Sequence, residues 1–168
     1  MNLKWMKKEL RDKLIMNENI VKTKNLDKLF EIEDNDDFSV VLFDILLVKW
    51  QNNLDNLSHA ERTLFLCMQL ENFGQADDIL EFLQGDFGEY NKQTIQALRE
   101  INALKSANII EKAIELLPKN GESFFKAATA SEKETMRRFN SEFSNYPDGR
   151  LCDLYRVYAN LHRGEFLA

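Results

Sequence analysis

Hydrophobic residues recur every three or four positions along most of the chain, which is the spacing of one face of an α-helix. The stretch 58–118 shows this best: it opens with an apolar helical run, continues through an acidic segment and closes with two more runs at Pro118. Proline and glycine rarely interrupt the pattern, with 2 and 6 copies. The pattern predicts an all-α fold, a single-domain irregular bundle of about eight helices.

The longer predicted helices each carry an apolar stripe, and they span 2–16, 38–51, 58–73, 75–84, 89–102, 104–117, a run beginning at 131, and 150–163. Short helices are expected around 26–30 and 122–130. Residues 17–25 are polar and are predicted to be a linker, and 52–57 a polar connection with two inward leucines. We expect residues 1–53 to pack as N-terminal helices on a core formed by 54–168, in one compact domain.

Two helix starts carry a capping-box motif, Ser58-His59-Ala60-Glu61 and Ser131-Glu132-Lys133-Glu134. In this motif the serine oxygen accepts from the third backbone N–H of the helix, and the glutamate accepts from the serine N–H. A third start is acidic, and Asp36 or Asp37 is expected to cap the helix 38–51.

Glycines mark the predicted helix ends. Gly74, Gly85 and Gly164 each follow an apolar run, and glycine readily adopts the backbone conformation that terminates a helix. Between the last two long helices, Tyr146-Pro147-Asp148-Gly149 has proline second and glycine fourth, as in a type I turn. Phe166 can then fold back onto the last helix, 150–163.

Two predicted helices have unusual faces. The helix 38–51 is apolar nearly all round, which is typical of a central helix, and a buried strand is the alternative. The helix 2–16 has an apolar stripe beside a basic face, so it packs on the core, lies on a membrane surface or meets an acidic partner. Glu9 and Asp12 interrupt the basic field, and this favours packing. The stripe consists of Leu3, Met6, Leu10 and Leu14.

Composition and charge restrict the class of protein. The 168 residues are 44% hydrophobic and 30% charged, which is ordinary for a globular domain. The formal net charge of −6 argues against a dedicated nucleic-acid binder, which needs a basic face. Cys67 and Cys152 lie in apolar helical patterns, so we expect buried free thiols in a reducing compartment. No apolar run approaches a membrane span and no signal peptide is recognisable, so a cytoplasmic location is expected.

Motifs for catalysis are missing from the sequence. His59 and His162 are far apart, and neither belongs to a His-Glu-x-x-His motif; Cys-x-x-Cys, Walker and Gly-x-Ser-x-Gly motifs do not occur. We therefore expect no catalytic residues, no metal and no cofactor. Asp77, Asp78 and Glu81 could form a carboxylate site on adjacent turns, so an enzyme remains an alternative. Tyr158 lies one turn before His162, and we expect that histidine to stabilise a helix end.

The most distinctive feature is the acidic segment, residues 71–89, which contains no lysine or arginine. Neighbouring helix turns are about 5–6 Å apart, and DNA carries one phosphate per strand every 3.4 Å or so. Carboxylates on consecutive turns can therefore approximate a row of phosphates and attract a cationic partner. The candidate partner-binding residues are Glu71, Asp77, Asp78, Glu81, Asp86 and Glu89.

Several short motifs lie between about Leu54 and the end of the chain, at Phe82-Leu83, Gly88, 94–98, 101–103 and 107–113. The tail 158–166 has the pattern Tyr-x-x-x-His-x-x-x-Phe. In these features the chain resembles a bacterial all-helical family that includes a DNA-mimic protein, the DNA-mimic-protein-nineteen-like family. The sequence reads Ala76-Asp77-Asp78-Ile79 where the family usually has Asn-Gly-Gly-Phe.

The resemblance implies a dimeric, non-enzymatic acidic protein that occupies the DNA-binding face of a transcription factor. Our leading hypothesis is therefore an interaction protein, without direct nucleic-acid or membrane binding, whose acidic surface engages a basic DNA-binding regulator. An immunity protein that neutralises a nuclease toxin would use the same electrostatics and is the first alternative. An enzyme with a carboxylate site is the second alternative, and a membrane-surface module acting through helix 2–16 is the third.

Overall fold

The structure is a computed structural model that describes residues 7–76 and 78–166. Within those residues it is all helical, with eleven α-helices and short 3₁₀ turns at Leu54–Asn56 and Gly88–Tyr90. The all-α prediction is confirmed, and the expected number of helices is too low because several are only one turn long. The α-helices are α1 Lys8–Thr23, α2 Leu26–Phe30, α3 Asn35–Trp50, α4 His59–Ala76, α5 Ile79–Gln84, α6 Asn91–Glu100, α7 Leu104–Glu115, α8 Phe124–Ala127, α9 Ala130–Ser144, α10 Leu151–Leu161 and α11 Arg163–Phe166.

Helix α4 lies at the centre of the fold. It packs against α3, α5, α6, α9, α10 and α11, and from Ala60 to Leu70 every residue except Arg62 is buried. The consecutive apolar residues 64–68 face every side of the helix, so neighbouring helices must cover it on all sides, because each exposed apolar side chain forgoes the free energy of leaving water. The buried side chains of α1, α2 and α3 join those of α4 to α11 in one hydrophobic cluster.

The start of α4 is the predicted capping box. The Glu61 N–H donates to Oγ of Ser58 at 3.3 Å, and the Ser58 N–H donates to Oε2 of Glu61 at 2.8 Å. The Glu61 carboxylate is only 2% exposed and forms an ion pair of 2.8 Å with Nζ of Lys49 on α3. The local cap is therefore also a cross-link between the two helices, since the buried carboxylate needs a cation beside it.

The second capping box is present but lies two residues earlier than predicted. Thr129, not Ser131, caps α9: its Oγ1 accepts from the Glu132 N–H, and Glu132 accepts from the Thr129 N–H. Both threonine and serine can supply the capping oxygen, so this stretch contains two overlapping capping motifs.

The cap of α3 also differs from the prediction. Asp34 is the capping residue, and its Oδ1 accepts from the Asp37 N–H at 2.9 Å. The helix begins at Asn35, three residues before the predicted start, so Asp36 and Asp37 lie in its first turn. There Asp36 pairs with Arg150 and Asp37 pairs with Lys13, so both contribute to tertiary contacts.

The segment predicted as helix 38–51 is a helix, α3, so the alternative of a buried strand is wrong. This helix is not covered on all sides. Phe38, Val41, Leu42, Ile45 and Leu46 are buried, whereas other apolar residues face outward. The exposed ones are Val40, Leu47 and Val48, with 61%, 40% and 46% of their surface accessible. The prediction of a central helix was therefore wrong for this face.

Helix α1 continues through most of the predicted linker and ends at Thr23. It is anchored by Ile20, which is buried, whereas Leu10 and Leu14 of the predicted apolar stripe are exposed. The stripe therefore points away from the core over the described part of the helix, and Leu3 and Met6 lie outside the described residues. Over the residues 7–76 and 78–166, none of the helices combines the length and the apolar character needed to cross a membrane.

Gly74 does not end a helix. It lies buried inside α4, and a Cβ atom there would come within 3.0 Å of the Phe143 ring on α9. The glycine is therefore needed for the close approach of two helices, and α4 continues to Ala76. Gly85 does follow the end of α5 as predicted.

The last predicted helix is divided in two. Helix α10 ends at Leu161, whose side chain is 77% exposed although it was expected in the core. Gly164 lies within α11 instead of ending a helix, and Phe166 folds back into the core as expected. The preceding turn is present, because the Gly149 N–H donates to the Tyr146 carbonyl at 2.9 Å.

Both cysteines, Cys67 and Cys152, are buried free thiols, as expected. Burial raises the pKa of Cys67 well above its ordinary value and that of Cys152 to about 11. Both thiols therefore stay protonated at neutral pH, and a protonated thiol is a poor nucleophile.

Candidate functional site

A cluster of aromatic rings positions the exposed part of the acidic segment. Phe82 of α5 and Phe87 of the following turn stack with ring centroids 5.2 Å apart, and Phe87 also contacts Phe65 of α4. Both segments are short, so these two buried rings fix the direction of the residues beside them. Glu81 and Asp86, which directly precede the two rings, are directed to solvent.

Glu81, Asp86 and Glu89 form the exposed acidic surface. All three side chains are exposed, on α5, on the turn after it and on the 3₁₀ turn Gly88–Tyr90. Among the residues described, none of the three forms an ion pair with a lysine, arginine or histidine. A carboxylate without a neighbouring cation keeps its full field, so this surface attracts positively charged groups.

Asp78 has a structural role within the same segment. Its Oδ1 accepts from the Leu80 N–H at 2.9 Å and caps α5, and its side chain is half-buried. The neighbouring Ile79 N–H donates to Oδ1 of Asn140 on α9, which satisfies a second free N–H at this helix start. Asp77 lies outside the described residues.

Glu71, the first acid of the predicted set, lies in a different environment from the exposed surface. It is half-buried on α4, and its Oε2 accepts a hydrogen bond of 2.9 Å from the hydroxyl of Tyr155. Burial raises the pKa of Glu71, and the hydrogen bond from the Tyr155 hydroxyl partly offsets this. The six predicted carboxylates are therefore not one continuous row.

Glu71 lines an open cavity of about 520 Å³ between α3, α4 and the segment 146–152. Its apolar walls are Val40, Phe43, Met68 and Leu151. At the rim the Arg150 guanidinium pairs with Asp36 at 2.6 Å, which raises the pKa of that arginine. Sequence reasoning did not find this cavity, because it joins residues separated by up to 116 positions, from Asp36 to Cys152.

Phe125 was also missed as a surface residue. Its side chain is 60% exposed, and with Glu81, Gln84 and Gly85 it lines a shallow depression of about 350 Å³. The sequence did contain an indication, because two consecutive residues on a four-residue helix cannot both point into the core. Phe124 is the one that does, with 1% of its surface exposed. Aromatic residues are enriched at protein interfaces, so an exposed phenylalanine ring is a candidate contact for a partner.

Tyr158 and His162, which were considered as catalytic residues, form contacts that position the end of α10. The rings of Tyr158 and His162 stack at 4.3 Å, and Nδ1 of His162 lies 2.8 Å from Oε1 of Glu165. His162 follows the last residue of α10, which agrees with the expected position at a helix end. Over the described residues, no group of three or more histidine, cysteine, aspartate or glutamate side chains is placed to hold a metal ion.

Comparison with known proteins gives a family match. A family model described as DMP19-like protein matches residues 55–162, which contain the central helix α4 and the exposed acidic surface. Neither a curated protein nor a solved structure matches the chain.

Proposed function

The chain belongs to the DMP19-like protein family, since the family match covers more than half of it, and we propose that it is a non-enzymatic protein whose acidic surface binds a basic protein. The partner proposed is a DNA-binding regulator, on which the carboxylates take the place of DNA phosphates. The observation that carries the proposal is the group Glu81, Asp86 and Glu89, exposed and without ion pairs within the described residues.

The physical argument concerns the range of electrostatic attraction. An exposed charge acts over about 8–10 Å at physiological salt, so three carboxylates on one short stretch act together on an approaching basic surface. A DNA-binding face presents lysine and arginine side chains spaced to meet phosphates. A carboxylate that is already paired with a cation attracts a basic face much less, so it matters that these three residues form no ion pair within the described part of the chain.

Phe125 supports a protein as the partner. Interfaces between proteins usually combine a polar rim with an aromatic residue that becomes buried, and such residues carry much of the binding free energy. The Phe125 ring lies beside Glu81 and already exposes 60% of its surface, so burying it on a partner is favourable.

The test is affinity capture from the native host with three forms of the protein. The first is the wild type, and the second carries Glu81→Gln, Asp86→Asn and Glu89→Gln. The control carries Glu31→Gln, Glu33→Gln and Glu115→Gln, which removes the same number of exposed carboxylates elsewhere on the surface. Capture with each form is carried out at low and at high salt, with and without added double-stranded DNA.

We expect the wild type and the control to retain a basic DNA-binding protein at low salt, with loss at high salt and competition by DNA. The variant in the acidic surface should retain at least tenfold less. Equal, salt-insensitive capture by all three forms would contradict the proposal. Capture of a nuclease in place of a regulator would instead favour the immunity-protein alternative.

A further inference from the structure

The cavity that contains Glu71 has the composition of a binding site, and it is separate from the surface of Glu81, Asp86 and Glu89. We infer that it binds an ammonium or guanidinium group carried on an apolar stem. The cation would lie against Glu71, and the stem would lie along Val40, Phe43 and Met68. This site goes beyond the proposed function and does not depend on it.

The volume fits a small ligand. Binding sites for small molecules are typically about 300–1,000 Å³ and mostly apolar, with a few polar groups that orient the ligand. This cavity measures about 520 Å³, and its walls include Phe43, Met68 and Leu151. Val40 stands at its edge with 61% of its surface exposed, and this surface would become buried under an apolar stem.

The charges select a cation. A carboxylate has about four acceptor positions, and the hydroxyl of Tyr155 uses one of them, so Glu71 can accept further donors from a ligand. No lysine or arginine of the described residues pairs with Glu71. The only guanidinium among the lining residues belongs to Arg150, and it is already paired with Asp36.

An anionic ligand is disfavoured by the same arrangement. It would have to displace Asp36 from Arg150 and would approach the Glu71 carboxylate. A neutral apolar ligand would leave Glu71 half-buried without a counter-charge. An ammonium or guanidinium group satisfies the carboxylate, and hydrogen bonds between oppositely charged groups are stronger than neutral ones.

Two sources could supply this chemistry, a free alkylamine and the side chain of a lysine or arginine on another protein. The first arm of the experiment titrates the protein with n-hexylamine, with n-hexanol and hexanoate as neutral and anionic controls of the same length. The second arm uses a blocked peptide with one lysine, and its control has norleucine in that place. Amide and methyl chemical shifts of residues around the cavity report binding.

We expect saturable shifts at Val40, Phe43 and Glu71 with n-hexylamine and little change with n-hexanol or hexanoate. Each methylene added to the amine should tighten binding by about fourfold until the stem outgrows the cavity. Binding of the lysine peptide as well would identify a protein side chain as the source, and binding of the amine alone would identify a free ligand.

Two variants make the result specific. Glu71→Gln should weaken the binding of n-hexylamine by about tenfold or more, and the matched variant Glu115→Gln, at an exposed position on α7, should leave it unchanged. Val40→Ser should reduce the increase in affinity that each added methylene of the amine brings. It should not alter the binding of methylamine, which has no stem to contact residue 40. Equal binding of hexanol, or undiminished binding by a folded Glu71→Gln protein, would overturn the inference.

Discussion

The hydroxyl of Tyr155 donates a hydrogen bond of 2.9 Å to Oε2 of Glu71 and joins α10 to α4 across 84 positions of the chain. The tyrosine is completely buried, and burial followed by the charge of Glu71 raises the pKa of its hydroxyl well above the ordinary value. The phenol therefore remains a proton donor throughout the physiological range. A carboxylate held in this way is oriented toward the cavity, because its position is set by a rigid core residue.

Glu71 should make the stability of the protein depend on pH. Because burial raises its pKa in the folded state, its contribution is present below the ordinary glutamate pKa and is lost as pH rises through the raised value. Glutamine does not ionise, so Glu71→Gln removes this loss of stability at higher pH. We expect the unfolding free energy of the variant, relative to the wild type, to increase from about pH 4 to about pH 7.

The measurement is chemical denaturation at several pH values in that range. Glu115→Gln, on the exposed face of α7, removes one carboxylate and reports the effect of net charge alone. A difference between Glu71→Gln and wild type that stays constant with pH would contradict the prediction.

Gly74→Ala should destabilise the protein although alanine favours helices. The new Cβ would come within 3.0 Å of two atoms of the Phe143 ring, and overpacking of this kind costs about 1–3 kcal/mol. The gain in helix propensity is about 1 kcal/mol, so the net change is a loss of up to about 2 kcal/mol. In a Phe143→Leu background the same substitution should cost less, and urea denaturation of the four proteins measures this coupling. Equal costs in both backgrounds would show that the ring is not the obstacle.

Thr129→Ala should lower the unfolding free energy by about 1 kcal/mol, because Thr129 caps α9. Ser131→Ala should change it by less than about 0.5 kcal/mol, since Ser131 lies one residue inside the helix start and is exposed. Thermal unfolding of the two variants distinguishes the observed capping box from the predicted one. A larger effect at Ser131 would restore the prediction made from the sequence.

Phe124 and Phe125 should behave in opposite ways. Phe124→Ala removes a ring that is 1% exposed and should cost about 3–5 kcal/mol of stability. Phe125→Ala removes a ring that is 60% exposed and should change stability by less than about 0.5 kcal/mol. In the capture assay Phe125→Ala should retain less of the basic partner. Unchanged capture would remove Phe125 from the proposed interface.

Local signals were sufficient for much of the fold. The all-α class, the short helix α2, the Ser58 capping box and the inward leucines Leu54 and Leu57 were predicted and are observed. Each of these depends on residues within one or two helical turns of each other, so the amino-acid order alone contains the information. The predicted division at residues 53 and 54 stays a prediction.

Helix ends and helix faces were less predictable. A glycine after an apolar run, such as Gly74, usually indicates the end of a helix. Glycine also occurs inside a helix where a neighbouring side chain approaches closely. At Gly74 that side chain is Phe143, which is 69 positions away in the sequence and so could not be recognised from it. The exposed face of α3 follows the same logic, because the apolar residues alone do not specify which of them a neighbouring helix will cover.

The sequence by itself determined that the chain is helical, that several of its helices carry recognisable caps, and that residues 71–89 contain acids without lysine or arginine. Only the tertiary structure decided how those acids are used: Glu71 turns toward Tyr155 and a cavity, Asp78 caps α5, and Glu81, Asp86 and Glu89 face solvent. The reason is physical. Helical hydrogen bonds connect residues four positions apart, whereas the surroundings of a side chain are set by whichever distant helices pack around it.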